Sequence, residues 1–223
     1  VYFDCVKTAL ATAHTGRLVT FGIDATEPAT GYGYIEAGEP LETGARTVKR
    51  FVEKPSLEKA QEYLVAGNFL WNSGMFCFKA GTLVDELAAH APDVLTAART
   101  ALEHSQSLQN KTSRQRELDA DGFASAPDIS IDVALMEKSR QVAVVPCDIG
   151  WSDIGSWDAL WEVSPRDAQG NAVHGDVMAL DTSNSHVHAT RRLVARAGWQ
   201  QDLDGCRRIG LNLTSTSAST SGG

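Results

Sequence analysis

The residue types best suited to binding a ligand are concentrated in residues 51–76. The run FVEKP places Glu53 beside Lys54, and the run WNSGMF places Asn72 beside Ser73. A carboxylate can accept hydrogen bonds from two adjacent hydroxyls, and a neighbouring lysine supplies the cation that a phosphate needs. These two runs therefore indicate a pocket for a ligand that carries hydroxyl and phosphate groups.

Each of these pairs also has a purely structural interpretation. Glu53 and Lys54 alternate on a strand, so they share a pocket only if the strand ends at Pro55. On its own, a Glu-Lys pair at a strand end is more often a solvated charge pair. Asn72 and Ser73 fit equally well a bulge whose side chains bond to their own backbone. Both alternatives remain open on these residues alone.

Two further segments carry candidate site residues. In PATGYGYI, Gly31 and Gly33 flank Tyr32, which allows close approach of a ligand to the backbone or simply forms a tight turn. In GWSDIGSW, the carboxylate of Asp153 is the kind of hard oxygen ligand that Mg²⁺ takes. Ser156 is better placed than Asp153 to cap the following helix, which leaves Asp153 available for a metal ion.

Other polar and aromatic residues are interpreted structurally. Asp132 falls in the first turn of a predicted helix, where a carboxylate interacts favourably with the helix dipole. Trp151 is interpreted as a packing residue. His186 and His188 share one strand face, but zinc is not predicted because no third ligand accompanies them.

Composition limits the classes of function. The chain has 223 residues, enough for one sizeable domain with a small appendage, and a formal net charge of −8. This acidic balance argues against nonspecific nucleic-acid binding. No run of about 18 apolar residues is present, so no membrane partner is predicted. The four cysteines lie far apart in sequence and are interpreted as thiols of a cytoplasmic protein.

Hydrophobic periodicity and turn residues predict alternating helices and strands up to residue 165. The predicted helices cover residues 4–14, 55–66, 82–89, 92–104 and 131–140, and the predicted strands cover residues 18–23, 47–53, 69–78 and 141–146. Residues 36–46 are expected to form a turn, and residues 105–126 surface helix and loop. This alternation predicts an α/β fold with a mostly parallel sheet.

The sequence pattern changes toward the end of the chain. Short alternating segments at residues 172–180 and 186–189 indicate the start of a small β appendage. From about residue 199 the sequence is polar and aperiodic, which is typical of a disordered tail or of a segment foreign to the domain.

The runs PATGYGYI, FVEKP, WNSGMF, SIDVALMEK and GWSDIGSW occur in this order, and together they resemble the bacterial mannose-1-phosphate guanylyltransferases (GDP-mannose pyrophosphorylases). The resemblance covers about residues 18–198. It implies a Rossmann-like, GT-A-like nucleotidyltransferase domain over residues 1–165 and the start of a β-helical segment over residues 166–198. Residues 199–223 form a tail outside the resemblance.

The resemblance also implies an activity and roles for residues. The reaction would join GTP and mannose 1-phosphate to give GDP-mannose and pyrophosphate, with Mg²⁺ as cofactor. Glu53 would hold sugar hydroxyls, Lys54 would meet the sugar phosphate, and Asp153 would bind magnesium. The walls of the sugar pocket would be formed by Gly31, Tyr32, Asn72 and Ser73.

The chain departs from the family in one respect that bears on activity. The glycine-rich GTP loop and a second magnesium-binding aspartate of the family lie upstream of the first helix, so the chain is expected to be N-terminally truncated and inactive alone. Two alternatives follow: a transferase for another sugar 1-phosphate, or a non-catalytic sugar-phosphate-binding or regulatory subunit. The oligomeric state is left open, with a homo-oligomer as one alternative.

Overall fold

A computed structural model describes residues 1–110 and 113–199. Contacts divide the chain into two units, Val1–Trp151 and the residues from Ser152 onward. The domain boundary at residue 165, based on the change of sequence pattern there and on the family resemblance, stays a prediction. Except for Trp199, the tail predicted over residues 199–223 lies outside the described residues, and so does Cys206.

The first unit contains seven strands, five α-helices and one π-helical turn within its described residues. In chain order these are α1 (Tyr2–His14), β1 (Leu18–Asp24), β2 (Tyr34–Pro40), β3 (Arg46–Val52), α2 (Leu57–Ala66), β4 (Phe69–Cys77), α3 (Ala80–His90), α4 (Pro92–Glu103), β5 (Gln106–Asn110), β6 (Ser113–Glu117), α5 (Ala120–Ala124), the π-helical turn (Asp132–Met136) and β7 (Val142–Pro146).

Five of these strands form one closed sheet in the order β1-β4-β2-β3-β7. Strand β7 pairs with β1 in parallel and with β3 in antiparallel orientation. The pairs β1–β4, β2–β3 and β2–β4 are antiparallel. The remaining strands, β5 and β6, form a separate antiparallel hairpin.

The expectation of a mostly parallel sheet is therefore wrong: the sheet is mixed and mainly antiparallel. The connection through α2 does make β3 and β4 run in the same direction, as a strand-helix-strand unit should. These two strands are not neighbours, because β2 lies between them and is antiparallel to both. The alternation of strands and helices along the sequence therefore predicts the relative direction of β3 and β4, but not whether they are neighbours in the sheet.

Two segments expected to be irregular contain strands. Residues 36–46 were predicted to form a turn, yet β2 continues to Pro40, and only the short turn closed by the bond from Leu41 N to Ala45 O (2.8 Å) reverses the chain. The end of β2 is exposed, so polar residues are tolerated there. Residues 105–126 were expected to form helix and loop, but they contain the β5–β6 hairpin. Backbone hydrogen bonds pair these two strands, and their sequence has no alternating apolar pattern from which strands could be predicted.

The helix predicted over residues 131–140 is mostly replaced by the π-helical turn. The N–H of Glu137 donates to the carbonyl of Asp132 at 2.9 Å, which is the five-residue spacing of a π-helix. Ser130 Oγ accepts from the N–H of Val133 at 3.4 Å, as a serine at a helix start does. Leu135 and Met136 are buried against the sheet, so the turn is anchored in the core.

The core of the first unit consists of three clusters around the closed sheet. One gathers Leu18 and Val144 with α3 and the π-helical turn, a second joins α1 to Val19, and a third packs α2 against Trp71. Because successive side chains of a strand point to opposite faces, β1 contributes Leu18 to the first cluster and Val19 to the second. The sheet is thereby fixed on both faces by helices.

The second unit contains one helix and four short strands within its described residues: α6 (Trp157–Val163), β8 (Ala172–His174), β9 (Val177–Thr182), β10 (His186–His188) and β11 (Val194–Trp199). The strands pair in parallel, β8 with β10 and β9 with β11. The buried side chain of Asn171 donates to the carbonyl of Thr182 at 2.8 Å and accepts from the N–H of Ser185 at 3.2 Å. The predicted β segments are thus strands.

In residues 1–110 and 113–199, every helix is too short or too polar to cross a bilayer.

Candidate functional site

Glu53 and Lys54 lie directly after the end of β3. The backbone N–H of Glu53 donates to Oε1 of Glu137 at 2.9 Å, and Lys54 has a positive φ of 46°. The strand geometry is therefore broken at these residues, as the following proline predicts, and the two side chains need not point to opposite faces. Lys54 Nζ lies 3.6 Å from Glu53 Oε1, so the cation stands beside the carboxylate.

Asn72 is the centre of a buried hydrogen-bond network in β4. Its Oδ1 accepts from Thr20 Oγ1 at 2.8 Å and from the N–H of Gly74 at 3.2 Å, while its Nδ2 donates to Oδ1 of Asp132 at 3.0 Å. Its backbone N–H donates to the carbonyl of Gly33 at 2.7 Å. This network holds the amide in one orientation.

Ser73 lies in a bulge of β4. Thr20 pairs with Phe76 and Gly22 with Asn72, so the register shifts between these two pairs. Ser73 Oγ accepts from the N–H of Met75 at 3.3 Å. The bulge alternative is thus what the structure shows for Ser73, and a contact between Ser73 and a ligand stays a prediction.

Gly33 is the point where these groups meet. A Cβ atom at Gly33 would lie 2.6 Å from Glu53 Oε2 and 3.3 Å from Asn72 Cβ. Cβ atoms essentially never lie within 3.0 Å of another group, so a side chain at position 33 would require the Glu53 carboxylate to move. Gly31, by contrast, is exposed, and a Cβ atom there would have no neighbour within 4 Å. A Cβ atom would therefore disturb the site at position 33 and not at position 31.

Tyr32 connects the glycine segment to two tryptophans. Its ring meets those of Trp71 and Trp151 edge to face, with centroids 5.1 and 5.4 Å apart. The ring of Trp71 is buried, and its Nε1 makes no hydrogen bond within the described part of the chain. This aromatic contact supports the interpretation of Trp151 as a packing residue.

The electrostatics of the site are dominated by carboxylates. Burial raises the pKa of Glu53 above its ordinary value, and the negative charges of Asp132 and, more weakly, Glu137 raise it further, while Lys54 opposes the shift. The Glu53 side chain is 17% exposed and Lys54 65% exposed. The lysine therefore points toward solvent, while the carboxylate lies against the protein.

Asp132 and Glu137 are the site residues that the sequence did not reveal. Asp132 was interpreted as a partner of the helix dipole, but it bonds to the side chain of Asn72 instead. The sequence feature that could have indicated both residues is their spacing in SIDVALMEK. The two carboxylates are five residues apart, which is the spacing of one π-helical turn.

Asp153 belongs to the second unit. It is exposed and precedes α6, whose N-cap is Ser156, with Oγ accepting from the N–H of Ala159 at 3.1 Å as predicted. The Asp153 carboxylate makes no hydrogen bond or ion pair with the described residues, while its carbonyl accepts from the N–H of Gly155 at 2.7 Å. The carboxylate is thus available to a ligand.

Two further features of side chains bear on the chemistry available to the chain. Across residues 1–110 and 113–199, no group of three or more His, Cys, Asp and Glu residues is arranged to hold a metal ion. Cys5, Cys77 and Cys147 are free thiols. Burial, with smaller contributions from Cys5, raises the pKa of Cys147 to about 12, so this thiol is a poor nucleophile.

The chain resembles known proteins over most of its length. Residues 2–170 match the family described as nucleotidyl transferase. The chain is 49% identical over 193 residues to the xanthan biosynthesis protein XanB of Xanthomonas campestris pv. campestris, covering 86% of this chain and 40% of that protein. It is 50% identical over 193 residues to a mannose-1-phosphate guanylyltransferase of Sinorhizobium fredii, covering 83% of this chain and 36% of that protein.

A solved structure supports the same relationship. A protein of Thermus thermophilus, described as a mannose-1-phosphate geranyltransferase, is 33% identical and superposes with a TM-score of 0.69. The match covers 90% of this chain and 59% of that one. The chain thus spans about two fifths of the length of the two relatives above and somewhat more of this structure.

Proposed function

The chain belongs to the nucleotidyl transferase family, and on that premise we propose that its protein makes GDP-mannose and pyrophosphate from GTP and mannose 1-phosphate. The observation that carries this proposal is the convergence of Glu53 and Asn72 around Gly33, beside Lys54. The relatives named mannose-1-phosphate guanylyltransferase favour mannose over other sugars.

The sugar is assigned to the buried side of the site. The Glu53 carboxylate accepts hydrogen bonds only, so it suits a pair of sugar hydroxyls, and the Asn72 amide adds a donor. Gly33 leaves room for these groups next to the backbone. Gly31, Tyr32 and Ser73 complete the proposed wall of the sugar pocket.

The phosphate is assigned to the exposed side. Lys54 carries its ammonium group into solvent next to Glu53, where it can neutralise a sugar phosphate without being buried. The phosphate oxygen attacks the α-phosphorus of GTP, forming one P–O bond. The bond to the β-phosphate breaks, and pyrophosphate leaves with its electron pair. Lys54 contributes by positioning and by charge neutralisation, and no covalent enzyme intermediate is involved.

The metal is assigned to Asp153. Mg²⁺ is usually held by one or two carboxylates together with substrate phosphates rather than by a cage of protein ligands, so a single accessible carboxylate fits it. Asp153 meets this requirement because its carboxylate is exposed and makes no bond with the described residues. When bound, the ion would neutralise charge on the phosphates.

The second unit is proposed to begin a β-helix. Strand β8 pairs in parallel with β10, and β9 pairs in parallel with β11. Each strand therefore pairs with the next strand but one along the chain. This order arises when a chain coils in successive rungs. A cytoplasmic location remains part of the proposal, on the basis of the free cysteines.

Binding and turnover test the two halves of the proposal separately. Isothermal titration of the 223-residue chain should show binding of mannose 1-phosphate that is tighter than binding of glucose 1-phosphate. Glu53→Ala should weaken it at least about tenfold, the cost of one or two charged hydrogen bonds. The protein expressed from its complete gene should release pyrophosphate from GTP only with mannose 1-phosphate and Mg²⁺.

Three results would contradict the proposal. Equal binding of both sugar phosphates would favour a transferase of broader or different specificity. Tight binding without pyrophosphate release by the complete protein would favour a sugar-phosphate-binding subunit. Unchanged magnesium-dependent activity of Asp153→Ala would exclude the metal assignment.

A further inference from the structure

We propose that Asp132 is a positioning residue that fixes the side-chain amide of Asn72 so that it offers the sugar one hydrogen-bond donor and no acceptor. This inference deepens the proposed function and rests on it for the identity of the ligand.

The orientation of the amide follows from its partners. Asn72 Oδ1 lies 3.2 Å from the backbone nitrogen of Gly74, and a backbone N–H only donates. The atom at this position must therefore be the oxygen. The second lone pair of that oxygen is used by the hydroxyl of Thr20 at 2.8 Å, so its acceptor capacity is filled.

The nitrogen of the amide has one hydrogen left. Asn72 Nδ2 carries two hydrogens, and one is donated to Asp132 Oδ1 at 3.0 Å. A reversed amide would place its oxygen against the Asp132 carboxylate and its nitrogen against the N–H of Gly74, and both contacts would be repulsive. Asp132 and the N–H of Gly74 thus act together against the reversal, and Asp132 takes one of the two hydrogens so that a single N–H is left for a ligand.

This arrangement determines the direction of the hydrogen bonds that a sugar hydroxyl can make. A hydroxyl that contacts Asn72 has to accept from its N–H, so its own proton must be donated elsewhere. The nearby carboxylate of Glu53 only accepts and lies beside Asn72 across Gly33. A sugar hydroxyl that accepts from Asn72 and donates to Glu53 satisfies both groups. A sugar with an ether oxygen or only a hydrogen in place of that hydroxyl leaves the carboxylate without a hydrogen bond.

The π-helical turn explains how Asp132 keeps its position. The bond from the N–H of Glu137 to the carbonyl of Asp132 closes the turn, and Leu135 anchors it in the core. Glu137 then accepts the backbone N–H of Glu53. One turn therefore holds both sides of the proposed sugar pocket, with Asp132 on the Asn72 side and Glu137 on the Glu53 side.

The test separates the hydrogen bond from the charge of Asp132. Asp132→Ala removes the acceptor, Asp132→Asn keeps an oxygen acceptor without the charge, and Asp128→Ala is the control, since Asp128 is an exposed carboxylate four residues earlier. Binding of mannose 1-phosphate is measured by isothermal titration, with thermal unfolding to verify the fold. We expect a loss of about tenfold for Asp132→Ala, at most about threefold for Asp132→Asn, and no change for Asp128→Ala.

Two binding results would overturn the inference. Equal losses for Asp132→Ala and Asp132→Asn would mean that the charge acts on the ligand and that the amide is not positioned by it. Unchanged binding in Asp132→Ala would mean that the amide needs no partner at residue 132.

A second measurement does not depend on sugar binding. In ¹⁵N–¹H spectra of the wild-type chain, with the Asn72 side-chain signals identified by their loss in Asn72→Asp, one amide proton should exchange slowly with water. Fast exchange of both protons would overturn the inference even if Asp132→Ala fails to fold. If the wild-type chain binds no sugar phosphate but retains this slow proton, the proposed function fails and the positioning role stands.

Discussion

At the scale of single residues, the proposed sugar pocket depends on the absence of a side chain at Gly33. Gly33 has no side chain, and the Glu53 carboxylate occupies the space where a Cβ atom would stand. The sequence indicated Gly33 only as a turn or close-approach residue, because a glycine between two tyrosines does not say what approaches it. Its partner is 20 residues away and becomes visible only when β2 and β3 pair.

Substitution of Gly33 should therefore damage the site selectively. In Gly33→Ala, the added methyl group must displace the Glu53 carboxylate, and we expect the affinity for mannose 1-phosphate to fall at least about tenfold. Gly81→Ala in α3 is the matched control, because a Cβ atom there has no neighbour within 4 Å. Calorimetry should show normal affinity in the control, and equal affinity in both variants would contradict the role of Gly33.

Glu53 should also make stability depend on pH. Its pKa is raised in the folded protein by burial and then by Asp132, so the folded state binds this proton more tightly than the unfolded state does. The resulting stabilisation is present below the ordinary value of 4.5 and is lost as pH rises through the raised pKa. We expect wild type to lose stability relative to Glu53→Gln over this interval.

Urea unfolding at several pH values measures this difference. Glu42→Gln, which replaces an exposed carboxylate in the turn between β2 and β3, serves as the control for removal of a surface carboxylate. A difference between wild type and Glu53→Gln that grows more favourable to wild type with rising pH would contradict the stated direction.

At the scale of elements, α2 shows what local sequence determines. A serine before a helix and a glycine after it are the usual cap and stop signals, and α2 has both: Ser56 Oγ accepts from the N–H of Lys59 at 3.4 Å, and Gly67 is left-handed at φ 69°. These signals are local because the bonds join residues three or four positions apart. The pairing of the strands on either side of α2 is not local, and the prediction of a mostly parallel sheet was wrong.

Gly67 offers a direct test of the helix stop. Gly67→Ala should lower the free energy of unfolding by about 1 kcal/mol, because a Cβ atom is strained at a positive φ. Gly67→Asn should cost less, since asparagine tolerates the left-handed region better. Chemical unfolding of both variants measures the difference, and equal destabilisation would show that loss of glycine itself, and not the backbone angle, is responsible.

The π-helical turn is the element where sequence reasoning missed part of the site. Residues 131–140 have helical periodicity, so Asp132 was placed in the first turn of an ordinary helix. In the structure the segment forms a π-helical turn instead, and three buried side chains, Ala134, Leu135 and Met136, pack it against the core. Packing of this kind depends on the sheet beneath it, which is why Glu53 and Asn72 were found from their motifs and Asp132 was not.

At the scale of the molecule, the two units differ in how much apolar surface they bury. Among the described residues, the buried hydrophobic side chains of the second unit are Ala172, Val187 and Ala189, whereas the first unit buries most of the others. Small cores give little resistance to local opening. The second unit should accordingly open more readily than the closed sheet.

Hydrogen exchange followed by mass spectrometry can measure this difference. Peptides covering β8 and β10 should exchange at least about tenfold faster than those covering β1 and β7, corresponding to an opening free energy lower by about 1.4 kcal/mol. Val187→Ala should accelerate exchange in β8 and β10 alone. Equal protection of both sets of strands would contradict the expected difference.

The closure of the sheet by β7 has a consequence for the order of folding. Strands β2, β3 and β4 form from a continuous stretch of chain, but β7 joins Val142 to Leu18 and Val144 to Arg46, partners very distant in sequence. Closing such long loops is entropically slow, so β7 is expected to dock last. The π-helical turn immediately precedes β7. During synthesis, Glu53 and Asn72 would therefore be placed early, and Asp132 and Glu137 would secure them only when the final strand arrives.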